Sequence, residues 1–561
     1  MEKYVLSKGV SDISEEEGIL ICDGGYPYRF YRTVNTTELL DRWIERMFAF
    51  LEDFTGAPRP LLMIDRLGPG DPVMDTVPEI LIGNTHRYPV SEERDSLGYD
   101  EFVIRAEGKK LLMFGRTRIA ACAAIWYLIE FIKTNYEKGC KKIVFPYGAS
   151  YRGKIPDEIR EYRGSLKGFQ ITYFPGKWQP NARQFCENEE YFEKTVDAGF
   201  TVIPVPGGTE DILRAVKKLN ARGVKTSVYD FSIGDLTKPE RRASEIDVTD
   251  EAAVAELVGR YRDSGIFEWW LVDEPWVDHP ELAALSKHLK KLDPERGRMI
   301  NNLADPHLTD GYFYEHFLEY YSLPYISLDL YCFLRQHDAE GYPEYKDKYD
   351  CYFYSLQKAI LVAEAHGTEA AMITLLCCHF ENKNSNPTIE HLRWECNTAL
   401  ALGFKTISYF YWQPVLQYMD EGDSTYYDNT KQINSEIYPI GCELYAKHPV
   451  DAYFIESTKK FNFVKYYSGT ETDLGEVGGD RAMLGLFDDR SVYFVDLYFD
   501  TKDGSRHDHT LGAVKPGAFE YFDRAAKGWK ALEESPEIRY ENGLCTLSLR
   551  PGDGMLIRKK S

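Results

Sequence analysis

Asp273 and Glu274 are the residues of this sequence best placed for proton chemistry. They close the run Phe267-Glu268-Trp269-Trp270-Leu271-Val272-Asp273-Glu274-Pro275-Trp276. Trp269, Trp270, Leu271 and Val272 form the kind of short apolar run expected of a strand buried on both faces. Pro275 keeps a helix from running through the acid pair. Two carboxyls at the C-terminal end of such a strand put charge at a mouth rather than in a core. In a barrel of parallel strands that edge carries the chemistry; at an ordinary strand-to-helix junction it is a solvated strand end. A carboxyl beside Trp269, Trp270 and Trp276 is partly desolvated, which favours its neutral, proton-donating form, so Glu274 fits a general acid. Successive side chains on a strand point to opposite faces. Asp273 is therefore expected to hold a substrate hydroxyl, orient its neighbour, or simply end the strand, rather than share the acid role.

The elements around the pair supply the barrel. From about residue 162, strand and helix patterns alternate at intervals of roughly 30 residues, the length of a βα unit. Candidate strands fall at 168–173, 201–204, 224–229, 269–272, 299–303, 325–329, 371–376 and 406–410, and helical stretches at 211–220, 252–262, 281–292 and 390–402. Gly199 and Gly223 precede the second and third strands, as a helix end leading into a strand requires. Eight such units close a (β/α)8 barrel and put Asp273-Glu274 at the end of its fourth strand.

Before this region, residues 37–51 carry Leu40, Trp43, Ile44, Met47, Phe48 and Leu51 at helical spacing. Strand patterns follow at 60–64, 79–83, 101–105 and 110–115, and a second helix at 117–134. These elements suit a small α+β domain. After about residue 450 the helical period stops, and short strand patterns at 461–466, 482–487, 491–498 and 544–549 read as a β-sandwich. The expected fold is a multidomain α/β chain: an N-terminal α+β domain over 1–155, a TIM barrel over 156–450 and a C-terminal β-sandwich over 451–561. A chain of 561 residues is long enough for several domains.

Composition narrows the partners. A net charge of −22 with no basic run argues against nucleic acid and anionic membrane, and no apolar stretch is long enough to span a bilayer. Aromatics make up 14% of the chain, with 40 Tyr; such flat apolar faces with polar edges suit sugar rings as well as cores. The eleven cysteines lack a C-x-x-C pair, so they read as buried thiols of a reducing compartment. The start, Met1-Glu2-Lys3-Tyr4-Val5, carries no leader pattern. A cytoplasmic protein is expected, although one whose leader had been removed would read the same way.

Two resemblances add to this reading. Glu79-Ile80-Leu81-Ile82-Gly83-Asn84-Thr85, with 100–105 and 111–115, resembles the accessory domain that precedes the barrel in β-N-acetylhexosaminidases and α-glucuronidases. The barrel resembles family-42-like bacterial proteins of the retaining β-galactosidase superfamily that carry Asp-Glu-Pro at the fourth strand, here Asp273-Glu274-Pro275. The match runs through Tyr173-Phe174-Pro175, Asp197-Ala198-Gly199-Phe200, Leu292-Asp293-Pro294, Ile300-Asn301-Asn302-Leu303 and Ser327-Leu328-Asp329-Leu330-Tyr331. It continues through Asn386-Pro387-Thr388, Tyr409-Phe410-Tyr411-Trp412, Gly422-Asp423-Ser424-Thr425 and Lys431-Gln432-Ile433-Asn434. This resemblance implies hydrolysis of an exo-linked glycosidic bond, with Glu274 as acid/base and no cofactor.

Glycoside hydrolysis uses a second carboxyl across the scissile bond. The resemblance puts it at the seventh strand, where Leu375-Leu376-Cys377-Cys378-His379-Phe380-Glu381-Asn382 offers only Glu381; Asp329, ending the sixth strand, is the rival. His379 is a candidate hydrogen-bond donor to substrate. Tyr173, Trp178, Trp276, Tyr331, Tyr411 and Trp412 follow strand ends and are candidate sugar-stacking residues. Cys377-Cys378-His379 is not expected to bind metal, because adjacent strand residues diverge. An adjacent Asp-Glu pair is also similar to that of β-N-acetylhexosaminidases, in which Asp orients the substrate acetamide as internal nucleophile. A non-catalytic carbohydrate-binding barrel is the alternative from a different class. The partner in every case is a carbohydrate, and homo-oligomer formation stays open.

Overall fold

The computed structural model describes residues 17–67, 71, 76–88, 90–174, 181–238, 243–275, 277–303, 310–333, 348–378, 386–410, 412–456, 464–499 and 505–560. Contacts divide the chain into two compact units. One comprises 1–163 with 307–320 and 361–368; the other comprises 164–306, 321–360 and 369–561.

The first unit holds a six-stranded mixed sheet in the order Leu62–Ile64, Arg29–Arg32, Glu79–Ile82, Lys110–Gly115, Glu101–Glu107, Tyr151–Lys154, and a two-stranded ribbon of Gly18–Asp23 with Lys142–Pro146. Helices Glu38–Thr55 and Arg118–Asn135 pack on each other. Their starts are set by Thr37 and Thr117, whose hydroxyls accept the N–H groups of Leu40 and Ala120. Helix Tyr312–Tyr320 belongs to this unit and brings two buried glutamates to those same starts. Glu315 accepts from the N–H groups of Arg118 and Ile119, and Glu319 accepts from that of Leu39.

The second unit contains the barrel. Its strands are β1 (Gln170–Tyr173), β2 (Val202–Gly207), β3 (Lys225–Asp230), β4 (Glu268–Asp273), β5 (Gly297–Leu303), β6 (Ile326–Asp329), β7 (Ala370–Leu376) and β8 (Thr406–Phe410). All neighbouring pairs are parallel, from β2 round to β8 and then β1. Between β1 and β2 the ring is bridged at Thr201, whose N–H donates to the Ile171 carbonyl at 2.9 Å and whose hydroxyl accepts the Ile171 N–H at 2.8 Å. All eight expected strands are present, and Gly199 and Gly223 take φ values of 86° and 73°, the left-handed conformation for which glycine is suited. Leu166, Tyr229, Trp270, Met299, Tyr325 and Ala371 fill the barrel interior.

After helix Thr425–Tyr445 come a seven-stranded and a four-stranded sheet. Their apolar residues, among them Leu484, Phe494 and Ile557 from one sheet and Leu511, Cys545 and Leu547 from the other, make one core. Five ionic side chains tie these sheets to the barrel helices. Arg393 and Arg550 hold Glu436, while Arg550 and Arg524 hold Asp553.

Candidate active site

Strand β4 presents Asp273 at its last position and Glu274 one residue beyond. Strict alternation would send the two side chains to opposite faces, and one local feature defeats it. Glu274 takes φ +46°, a region in which a Cβ crowds the following carbonyl. The Glu274 N–H is nonetheless anchored, donating to the Asn301 carbonyl of β5 at 2.8 Å. Asp273 and Glu274 therefore face one site, a placement that lets Asp273 orient its neighbour or hold a substrate hydroxyl as expected of it.

Asp329, the last residue of β6 and 5% exposed, completes the group. Oxygens of the three carboxyls lie within 4.8 Å of one another. Beside Glu274, Asp329 sits where two ionised carboxyls would repel each other. Its Oδ1 is buried without a partner. Burial, then the Glu274 charge and hydrogen bond, and then the Asp273 charge, push the Asp329 carboxyl well above its ordinary range. Burial and the Glu274 charge raise Asp273 to about 7, against the opposing hydrogen bond from Asn301 and the Lys238 charge; the Asp235 charge adds to the rise. The Tyr331 phenol, hydrogen-bonded to Asp329, is likewise pushed up by burial and by the charges of Asp329, Asp273 and Glu274. Carboxyls this close repel once ionised, and protonation of Asp329, which its raised value favours, relieves part of that repulsion.

The rings beside the carboxyls form a continuous series. Trp270 meets Phe174 edge-on at 5.4 Å, Phe174 meets Phe410 at 5.4 Å, and Phe410 meets Tyr331 at 5.5 Å. Trp270 is buried, whereas Phe174, Phe410 and Tyr331 are half-buried and keep surface for a ligand. Trp269 turns the other way: its indole donates to Asp293 at 2.8 Å and its ring packs on Tyr261. It therefore does not desolvate Glu274 as the sequence suggested.

Tyr173 and Trp412 are also corrected. They are 2% and 0% exposed and pack together around Phe200 in the barrel wall, with the Trp412 indole donating to Thr195 at 3.0 Å. Neither offers a ring face to a sugar. Trp178, Trp276, His379, Glu381 and Tyr411 lie outside the described residues. Asp329 is thus the carboxyl that the described residues bring to Glu274. Cys377 and Cys378 are buried thiols outside any disulfide. Burial, with Cys378 alongside, pushes the Cys377 thiol well up, which disfavours the nucleophilic thiolate.

The residues that sequence reasoning passed over are Asn301, Phe174 and Phe410. Asn301 donates from Nδ2 to Asp273 Oδ1 at 2.9 Å and accepts at Oδ1 from the Ser327 hydroxyl at 3.3 Å. The signal available for it was the amide pair Asn301-Asn302 placed late in the strand.

No family model and no curated protein matches the chain. Among solved structures it is similar to an Anoxybacillus alpha-amylase at 11% identity and a TM-score of 0.40, over 71% of this chain and 99% of that one. It is similar to a cyclomaltodextrinase at 10% identity and a TM-score of 0.39, over 74% and 83%. It is also similar to Saccharomyces cerevisiae Gas2p in complex with laminaritriose and laminaritetraose, at 11% identity and a TM-score of 0.30, over 48% and 64%. Likenesses at this level leave the activity to be argued from the site itself.

Proposed function

We propose that this protein is a glycoside hydrolase that cleaves an exo-linked O-glycosidic bond, with Glu274 donating the proton to the departing oxygen. The observation that carries this reading is the cluster of Asp273, Glu274 and Asp329 at the C-terminal mouth of a parallel eight-stranded barrel, where enzymes of this architecture keep their chemistry. Phe174, Phe410 and Tyr331 supply apolar ring surface beside it for the less polar face of a sugar.

Inversion needs two carboxyls about 6.5–9.5 Å apart to admit a water, whereas retention works at about 5–5.5 Å. Oxygens of Glu274 and Asp329 within 4.8 Å of each other are nearer the retaining spacing than the inverting one, which favours the retaining course. Glu274 protonates the leaving oxygen as the C–O bond breaks, and the Asp329 carboxylate bonds to the anomeric carbon. A water then attacks that carbon, gives its proton to Glu274 and releases Asp329. Asp329, which burial and Glu274 hold above its ordinary range, must be ionised and Glu274 protonated when the first bond breaks. The reaction as written uses no cofactor.

The motif pattern favours galactosides as the first substrates to try, and a three-part chain with domains 1–155, 156–450 and 451–561 as its organisation. A second reading, favoured by Asp273 facing the same site as Glu274, has Asp273 orient a substrate acetamide that attacks the anomeric carbon in place of Asp329. Aryl glycosides of galactose, glucose, N-acetylglucosamine and glucuronate separate these readings. Turnover of at least one, with a loss of about a hundredfold or more in Glu274→Gln, is expected. Turnover confined to the N-acetylglucosaminide, and insensitive to Asp329→Asn, supports the acetamide reading. Silence of the native protein across the panel, with sugar binding intact, leaves a carbohydrate-binding barrel and ends the hydrolase proposal.

A further inference from the structure

We infer that Asn301 is a positioning residue for the site: its side chain orients Asp273 while its backbone carbonyl holds Glu274 in the left-handed turn that aims it at the same point. Only the kinetic half of the test below rests on the glycosidase reading.

Asn301 lies on β5, opposite Asp273 in the β4 register and opposite Ser327 in the β6 register. It therefore stands between the strand that carries the acid pair and the strand that ends in Asp329. Three bonds define its work. Nδ2 donates to Asp273 Oδ1 at 2.9 Å, Oδ1 accepts from the Ser327 hydroxyl at 3.3 Å, and the main-chain carbonyl accepts the Glu274 N–H at 2.8 Å. Because the amide oxygen already receives the Ser327 hydrogen bond, the amide nitrogen is the end that meets Asp273, and the carboxylate form is the one it favours. Both residues are buried, Asn301 at 1% and Ser327 at 0% exposure, so the amide has no room to swing away.

An uncharged donor is what this register needs. A lysine or arginine there would neutralise Asp273 outright, a carboxylate would add a fourth carboxyl to the cluster, and an apolar residue would leave Asp273 to burial and to its acidic neighbours. The groups acting on Asp273 besides Asn301 are Glu274, Asp235 and Lys238; Asp329 and Tyr331 share its electrostatic environment.

Asn301→Ala and Asn301→Asp test the inference. Without the amide donor, Asp273 holds its proton more tightly. The limb of the pH–rate profile that follows Asp273 should then move up by about one unit, and kcat should fall about tenfold or more while KM stays within about threefold. In Asn301→Asp the new carboxyl can donate as the amide did only while protonated. Its activity is therefore expected within about tenfold of the native protein near pH 5 and lost near pH 8. The second readout needs no turnover. Asp273 is raised above its unfolded value, so its stabilising contribution is present at low pH and lost as pH rises through about 7. In Asn301→Ala the midpoint of that loss in a plot of Tm against pH should move upward by about one unit. Superimposable Tm–pH curves, apart from a uniform offset, would make Asn301 an ordinary buried amide and overturn the inference. So would an unshifted pH–rate profile in an enzyme that turns over. A native protein that cleaves no glycoside, combined with a shifted Tm–pH curve, sinks the hydrolase reading and leaves the positioning role standing.

Discussion

Glu274 holds a backbone conformation that only the surrounding structure makes tolerable. Its φ of +46° costs a side-chain-bearing residue about 1–2 kcal/mol, and the return is a carboxyl turned toward Asp273 and Asp329. Glu274→Gly and Glu274→Ala both delete that carboxyl, and they differ in what the backbone tolerates. The glycine variant is expected to be the more stable by about 1 kcal/mol, read from urea unfolding midpoints. Equal midpoints would mean that position 274 relaxes to an ordinary conformation once the carboxyl is gone. A second prediction concerns Phe410, which borders the carboxyls through Tyr331. If a sugar stacks there, Phe410→Ala should raise KM by about tenfold and change kcat less, since stacking binds ground and transition states alike. At this scale the sequence was legible where strand position alone fixes a side chain, as with Asp273, Glu274 and Asp329 at strand ends. It was not legible where a single dihedral or a choice of face decides. The turn at Glu274 is invisible to a period-two pattern. Tyr173 and Trp412, aromatic residues near strand ends, read like Tyr331 in the sequence yet pack into the wall.

At the scale of elements, helix Tyr312–Tyr320 shows how acids far apart in sequence from their partners come to serve packing. Glu315 and Glu319 lie one turn apart on one face and meet the starts of helices Arg118–Asn135 and Glu38–Thr55, where unpaired N–H groups favour an anion. Their states differ. Burial pushes Glu315 upward, but the His366 hydrogen bond and the Arg118 charge prevail and hold it below its ordinary range. Burial and the neighbouring Glu315 charge push Glu319 well up, which favours its protonated form. Glu315→Gln removes the charge that answers Arg118 and should cost about 3 kcal/mol. Glu319→Gln replaces a neutral acid with a neutral amide and should cost less than about 1 kcal/mol. Denaturation near pH 7 followed in the first unit would distinguish them, and equal costs would contradict the assigned states. The elements themselves were legible: alternation at a regular interval located all eight barrel strands, and the fifth and sixth were found with the rest. What the sequence could not disclose was that 307–320 and 361–368 belong with the first unit. That grouping depends on buried polar pairs separated by some 200 residues or more, such as Arg118 with Glu315, and local periodicity carries no trace of them.

For the whole molecule, buried carboxyls of two kinds set how stability responds to pH. Asp553, clamped by Arg524 and Arg550 where the sheets meet the barrel helices, is depressed to about 2; burial would raise it, and the two guanidinium charges outweigh burial. A carboxyl depressed below its unfolded value stabilises above that value, so this contribution is present above about pH 4 and is lost as pH falls toward 2. Asp273 and Asp329 work in the opposite sense. Their folded values lie above the unfolded one, so the native state keeps protons that the unfolded chain has released; the Asp273 contribution fades as pH climbs through about 7, and that of Asp329 also fades as pH rises. Together these limbs place maximal stability on the acidic side of neutrality. The site contributes to the alkaline decline alongside other buried carboxyls such as Glu319, because the proximity that makes three carboxyls useful for proton transfer also makes them repel once ionised. Asp329→Asn should therefore raise Tm near pH 8, by a stability gain on the order of 2 kcal/mol, and leave Tm near pH 5 almost unchanged, while abolishing retaining turnover. Asp553→Asn should behave in reverse, lowering Tm at neutrality by about 3 kcal/mol of stability and flattening the acid limb. Scanning calorimetry of the two variants from about pH 3 to about pH 9 decides the point. If Asp329→Asn lowered Tm at every pH, Asp329 would be ionised and compensated in the native protein. The charge that compensates it would then be the thing to find.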